Sequence, residues 1–184
     1  AIPGARFTDG GARNIVGRVQ AVMTPGPLAN GQDTALASLG ASLLNLSGTA
    51  ELLIQGGILD FNNFGQGQYG PGNLNTTGSS KLTLDAVTVR NLKQQAFVIA
   101  GNTTVVLRNG TVIDRVGDVG DCAAGAAIVV SGGGTLTMDH AQVSNGPSSA
   151  ICICSGTTQL PTMQLSQSTS SGMGGPAIGP AQIK

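Results

Sequence analysis

Asp85, Arg108 and Asp139 follow one another at intervals of 23 and 31 residues, and Gln55 stands 30 residues before Asp85. An arginine between two carboxylates suits two kinds of chemistry. Glycoside hydrolysis needs two carboxyls ~5–10 Å apart, one to protonate the leaving oxygen and one to attack or to activate water. If the chain is an enzyme, Asp85, Arg108 and Asp139 are the catalytic candidates, with Arg115 and Asp118 behind them. The plainer reading of the same three side chains is a surface ion-pair ladder that favours correct register, worth under ~1 kcal/mol per pair, with Arg108 reaching both carboxylates. Arg90 falls on another strand and completes no constellation, and His140 reads as a solvated turn residue beside Asp139.

A second group suits binding rather than catalysis. Tyr69, the only tyrosine, lies in a glycine-rich insertion from Asn62 to Asn73, and Arg115, Asp118 and Asp121 lie in another from Arg115 to Asp121. Lys93 belongs to the shorter stretch between them. One aromatic platform with several polar groups suits a sugar. The plainer alternative is that these loops only cover the core. Asp114, Asp118 and Asp121 offer the oxygens a calcium ion wants, without the alternating pattern of the known calcium loops. No cofactor is expected.

The three cysteines are Cys122, Cys152 and Cys154. Cys152 and Cys154 are two apart in an apolar run, so a strand points them the same way and places them poorly to bond each other. A bridge from Cys122 to Cys152 or to Cys154 is one reading; two buried core thiols and one loop thiol is the other. With the single distant His140 they match no zinc spacing.

These residues are positioned by a repeat. Glycine is followed four residues later by an aliphatic residue at Gly48–Leu52, Gly78–Leu82, Gly101–Val105, Gly132–Leu136 and Gly156–Leu160. Weaker echoes are Gly11–Ile15 and Gly179–Ile183. Counting the aliphatic residue as zero, positions 0, 2, 5 and 7 are apolar: Leu82, Leu84, Val87 and Val89, or Leu136, Met138, Ala141 and Val143. In the coil between them the same count gives Val105, Leu107, Gly110 and Val112. Spacing of two is the strand period, and the step from 2 to 5 marks a corner. A further apolar pair precedes each glycine: Leu44 and Leu46, Phe97 and Ile99, Ile128 and Val130, Cys152 and Cys154. Three short strands per coil of ~23 residues make a parallel β-helix, whose coils bury their apolar faces only against neighbours. Six to seven coils are expected, about 30 Å of stack at ~4.8 Å per strand. Residues 48–172 are read as the regular coils of one domain, 1–47 as its first coil or cap, and 173–184 as its C-terminal end. Thr34 to Leu46, rich in Ala and Leu, is open to a short capping helix or an irregular coil.

The stacked aliphatics, with Asn91, Asp114 and Asn145 at position 9, resemble the right-handed parallel β-helix (pectate-lyase-like) superfamily over about residues 44–172. The column is similar to the asparagine ladder of such helices, since Asn and Asp accept left-handed turns. The resemblance implies the right-handed fold and admits a polysaccharide lyase or hydrolase. Such enzymes carry a longer stack and a concentrated charged cleft.

Composition narrows the function. Charged residues are 10% and the formal net charge is zero, poor material for nucleic acid, and no apolar run is long enough to span a membrane. Low charge with abundant Gly, Thr, Ser and Asn points to an extracellular or cell-surface protein. Sequons occur at Asn45, Asn75, Asn102 and Asn109. The opening Ala-Ile-Pro-Gly suits a processed terminus. Outward columns tinged with Thr admit ice binding, though irregularly. The expectation is a non-catalytic, glycan-binding or structural surface module. The alternatives are the pectate-lyase-like enzyme and a structural subunit that self-associates through its β-helix ends.

Overall fold

The computed structural model describes residues 2–3, 13–16, 20–24, 35–37, 44–60, 74–76, 78–92, 95–116, 125–154 and 159–179. In chain order the strands begin with β1 (Ile2–Pro3), β2 (Arg13–Val16), β3 (Gln20–Thr24), β4 (Ala35–Ala37) and β5 (Leu44–Ser47). The next two coils are β6 (Glu51–Gln55), β7 (Ile58–Asp60), β8 (Leu74–Thr76), then β9 (Lys81–Asp85), β10 (Thr88–Leu92), β11 (Phe97–Ile99). They continue as β12 (Thr104–Arg108), β13 (Val112–Val116), β14 (Ile128–Ser131), then β15 (Thr135–Asp139), β16 (Gln142–Ser144), β17 (Ile151–Cys154). The last are β18 (Thr162–Ser166), β19 (Thr169–Ser171) and β20 (Ile178–Gly179).

From β2 to β17 each strand pairs in parallel with the third strand after it, and β1 pairs with β3, giving three sheets. The front sheet runs β1-β3-β6-β9-β12-β15-β18, the side sheet β4-β7-β10-β13-β16-β19 and the rear sheet β2-β5-β8-β11-β14-β17-β20. The chain is therefore a parallel β-solenoid, as its repeat predicts. About four turns, β6 to β17, form the regular core, fewer than the six to seven coils expected. Among the described residues no helix is long and apolar enough to cross a membrane.

The core follows from the alternation. Leu52, Ile54, Leu82, Leu84, Val105, Leu107, Leu136 and Met138 point inward from the front sheet and are buried. Leu59, Val89, Ile113 and Val143 do so from the side sheet, and Leu46, Phe97, Ile99, Ile128 and Val130 from the rear. Full burial of each such side chain stabilises the fold by ~1.5–3 kcal/mol before entropy is counted.

The corners need unusual backbone. Gly56, Ala86, Asn109, His140 and Gln167 all have positive φ at the front-to-side corner, so each coil turns there in the same left-handed conformation. At the rear-to-front corner Gly48, Gly78 and Gly101 do likewise. Gly78 has a second constraint: a Cβ there would stand 2.9 Å from the backbone N and O of Gly48.

Pairing register corrects several expectations. Residues 35–37 and 44–47 are strands, where Thr34–Leu46 was open to a helix. In the coil starting at Val105 the corner holds one extra residue, Asn109-Gly110, so Thr111 and Ile113 enter the core in place of Gly110 and Val112. The Thr111 hydroxyl is accommodated because it donates to the Arg108 carbonyl at 2.8 Å. Gly156–Leu160 is also out of phase: β18 places Met163 opposite Leu136, and Leu160 is 81% exposed. Ile15 and Gly179 belong to the rear sheet, opposite Leu46 and Cys152, so their glycine spacings do not continue the repeat. Ile183 lies outside the described residues.

Candidate functional site

The outer face of the front sheet is a regular surface among the described residues, set by strand register. Alternation that sends Leu82 and Leu84 inward sends Lys81, Thr83 and Asp85 outward, and each later strand repeats the pattern. One column holds Glu51, Lys81, Thr104, Thr135 and Thr162. The next holds Leu53, Thr83, Val106, Thr137 and Gln164, and the third Gln55, Asp85, Arg108, Asp139 and Ser166. Successive members are one strand spacing, ~4.8 Å, apart. The uninterrupted run Thr104, Thr135, Thr162 appears only once the register is known.

The charged column is built as expected but bonded asymmetrically. Arg108 donates from Nε and Nη2 to Asp85 Oδ2 at 3.0 and 2.8 Å. Asn109, turned left-handed by the corner, donates Nδ2 to Asp85 Oδ1 at 2.8 Å. Arg108 does not bridge to Asp139, whose Oδ1 instead meets His140 Nδ1 at 2.9 Å. The expectation that Arg108 binds both carboxylates is thereby corrected: His140, forced to the same corner by its φ of 51°, competes for Asp139. The Asn109 hydrogen bond lowers the Asp85 pKa, burial opposes it, and the Arg108 hydrogen bonds and charge with a Gln55 hydrogen bond complete a net depression. Asp85 thus holds its negative charge firmly, the wrong state for a proton donor near neutral pH.

The side sheet carries a second charge column that sequence reasoning missed. Arg90 stands opposite Asp60 on one side and Asp114 on the other. The extra residue at Asn109-Gly110 moves Asp114 into that column and out of line with Asn91 and Asn145. Asn91 and Asn145 keep the left-handed φ of 59° and 58°, whereas Arg115 takes the aligned position between them. Asp114 Oδ1 instead accepts from Ser144 Oγ at 2.8 Å and Asn145 Nδ2 at 2.7 Å. The Asn-Gly dipeptide, a strong turn signal, marks the shift in the sequence.

Tyr69, Lys93, Asp118 and Asp121 lie outside the described residues, and Arg115 is placed by its backbone alone, in β13. Among the described residues no three His, Cys, Asp or Glu side chains converge as metal ligands.

The cysteines leave the core. In β17 the Ile151 and Ile153 backbones pair with Ile128 and Val130, and Cys152 and Cys154 with Val129 and Ser131. Ile151 is in the core, while Cys152 packs with Ala126 and Val129 in a separate cluster flanked by Val98 and Cys154. Ile-Cys-Ile-Cys is apolar in both phases, so only pairing decides which set faces inward. Cys152 is disulfide-bonded and Cys154 is a thiol. Cys122 lies outside the described residues.

Comparison with family models, curated proteins and solved structures returns no match, so the site is interpreted from its own geometry.

Proposed function

We propose that this chain is a non-catalytic, extracellular β-solenoid module whose front sheet binds a linear glycan. The observation that carries the reading is the bonding of Asp85: its carboxylate is filled by Arg108 and Asn109, and its pKa is lowered. That favours a structural anion over the acid of a polysaccharide lyase or hydrolase built on Asp85, Arg108 and Asp139. Beside this column lie the hydroxyls of Thr104, Thr135, Thr137 and Thr162, repeating along the stack as hydroxyls repeat along a sugar chain. A surface of hydroxyls with few charges, Glu51, Asp85 and Asp139 against Lys81 and Arg108, has no basic excess and suits an uncharged polymer better than nucleic acid.

A glycan array tests the reading. Wild type should bind at least one extended glycan. Thr135→Tyr, which raises a ring from the flat face, should abolish that binding. Ser171→Tyr, on the exposed outside of the side sheet, should leave it intact. Binding that survives Thr135→Tyr but is lost in Tyr69→Ala would move the site to the insertions around Tyr69.

A specific feature favours a second reading, self-association through the end of the stack. Leu165 and Ile178 are 46% and 42% exposed, and with Met138, Ile151 and Ala177 they line a cavity of about 100 Å³. Sedimentation over a wide concentration range tests it: growing particles favour end-to-end assembly, and one constant monomer excludes it.

A further inference from the structure

The rear sheet places a thiol against a disulfide. Cys154 Sγ lies 3.9 Å from Cys152 Sγ, and Cys152 is the sulfur already engaged in a disulfide. Both side chains leave β17 on the same side because they are two residues apart in a strand. Their exposures differ: Cys152 is 1% exposed, whereas Cys154 is only partly buried. Ala126, Val129 and Val98 pack around them. The Cys152 sulfur is therefore shielded from thiols in solution but faces one inside the protein.

We infer that Cys154 is the internal nucleophile of a thiol–disulfide exchange at Cys152. The Cys154 thiol loses its proton to solvent, and the thiolate attacks Cys152 Sγ. A Cys152–Cys154 bond forms, with β17 bending locally to bring strand neighbours two apart into bonding range, as the bond from Cys152 to its former partner breaks. The electron pair leaves on the partner sulfur, which takes up a proton from solvent. No external oxidant or reductant enters, so the number of thiols and disulfides is unchanged. The consequence is that the protein can release the disulfide at Cys152 by itself. Because Cys154 is only partly buried, solvent can reach its thiol and take the proton. The chain has three cysteines, so a thiol released by the exchange is sought at Cys122.

Fragment mapping tests the exchange. The intact protein is held in mildly alkaline buffer, acidified to stop exchange, unfolded, and labelled with N-ethylmaleimide. Cyanogen bromide cuts after Met23, Met138, Met163 and Met173, placing Cys122 on fragment 24–138 and Cys152 with Cys154 on fragment 139–163. The expected result is label on fragment 24–138 together with a disulfide closed inside fragment 139–163. Cys154→Ser and Cys154→Ala should show complete loss of that label and keep the two fragments joined, with unchanged circular dichroism. Label confined to fragment 139–163 of the wild type, however long the incubation, overturns the proposal.

Discussion

Thr76→Val should stabilise this protein. Thr76 is 1% exposed, and its hydroxyl has no hydrogen-bond partner. It stands in the rear sheet between Leu46 and Ile99, a position that every neighbouring coil fills with an aliphatic side chain. A buried hydroxyl without a partner costs ~1–3 kcal/mol, and valine exchanges it for a methyl group of similar size. Allowing for imperfect fit, the gain should be about 1 kcal/mol. Thr111→Val is the matched control, because Thr111 is as deeply buried but donates to Arg108 at 2.8 Å. Losing that bond should cost ~1 kcal/mol. Urea unfolding followed by circular dichroism reads both, as opposite shifts of the midpoint at constant slope. If Thr76→Val destabilises as Thr111→Val does, the reasoning that the Thr76 hydroxyl is a buried cost is wrong.

Further predictions concern the corners and the charges. Gly78→Ala should cost more than Gly101→Ala, although both have positive φ, because a Cβ at Gly78 would clash with the Gly48 backbone at 2.9 Å, whereas at Gly101 the nearest atom, the Gly78 carbonyl oxygen, lies at an ordinary contact distance of 3.7 Å. The left-handed strain common to both is ~1–2 kcal/mol, so thermal melts should show a modest loss for Gly101→Ala and a larger one for Gly78→Ala. The lowered pKa of Asp85 means that its contribution to stability is present above the ordinary carboxylate range and is lost as pH falls through its folded value. Asp85→Asn should therefore remove part of the acid sensitivity of unfolding below about pH 4, and an unchanged pH profile would contradict the assignment. Leu165→Ser at the exposed end should suppress any concentration-dependent association without changing the melting temperature appreciably.

The sequence revealed the architecture because a parallel solenoid repeats one constraint in every coil. Leu82, Leu84, Val87 and Val89 could be read inward from their spacing alone, and Leu136 to Val143 repeat them at the same positions. Errors entered where spacing and pairing diverge. One extra residue at Asn109-Gly110 reversed the facing of the strand after it, since the side-chain period of a strand is two. It concealed the Asp60–Arg90–Asp114 column and misplaced Asp114 in an asparagine ladder. Before β18 the glycine spacing marked Leu160 where pairing selects Met163. Ile-Cys-Ile-Cys carried no phase information, so the outward cysteines were hidden. The front-sheet charges were visible by column. Their partners were not, because Asn109 and His140 reach Asp85 and Asp139 only through the left-handed corner.

The most direct test of the account is a product assay on the polysaccharide that the wild-type protein binds most tightly. Soluble fragments, new reducing ends and unsaturated sugars should be followed over a long incubation at neutral and acidic pH. A front sheet that binds through hydroxyl columns and holds Asp85 as a structural anion predicts retained polymer and no product. Product that forms with wild type and disappears in Asp85→Asn or Asp139→Asn would contradict it, and would make the front-sheet carboxylates catalytic.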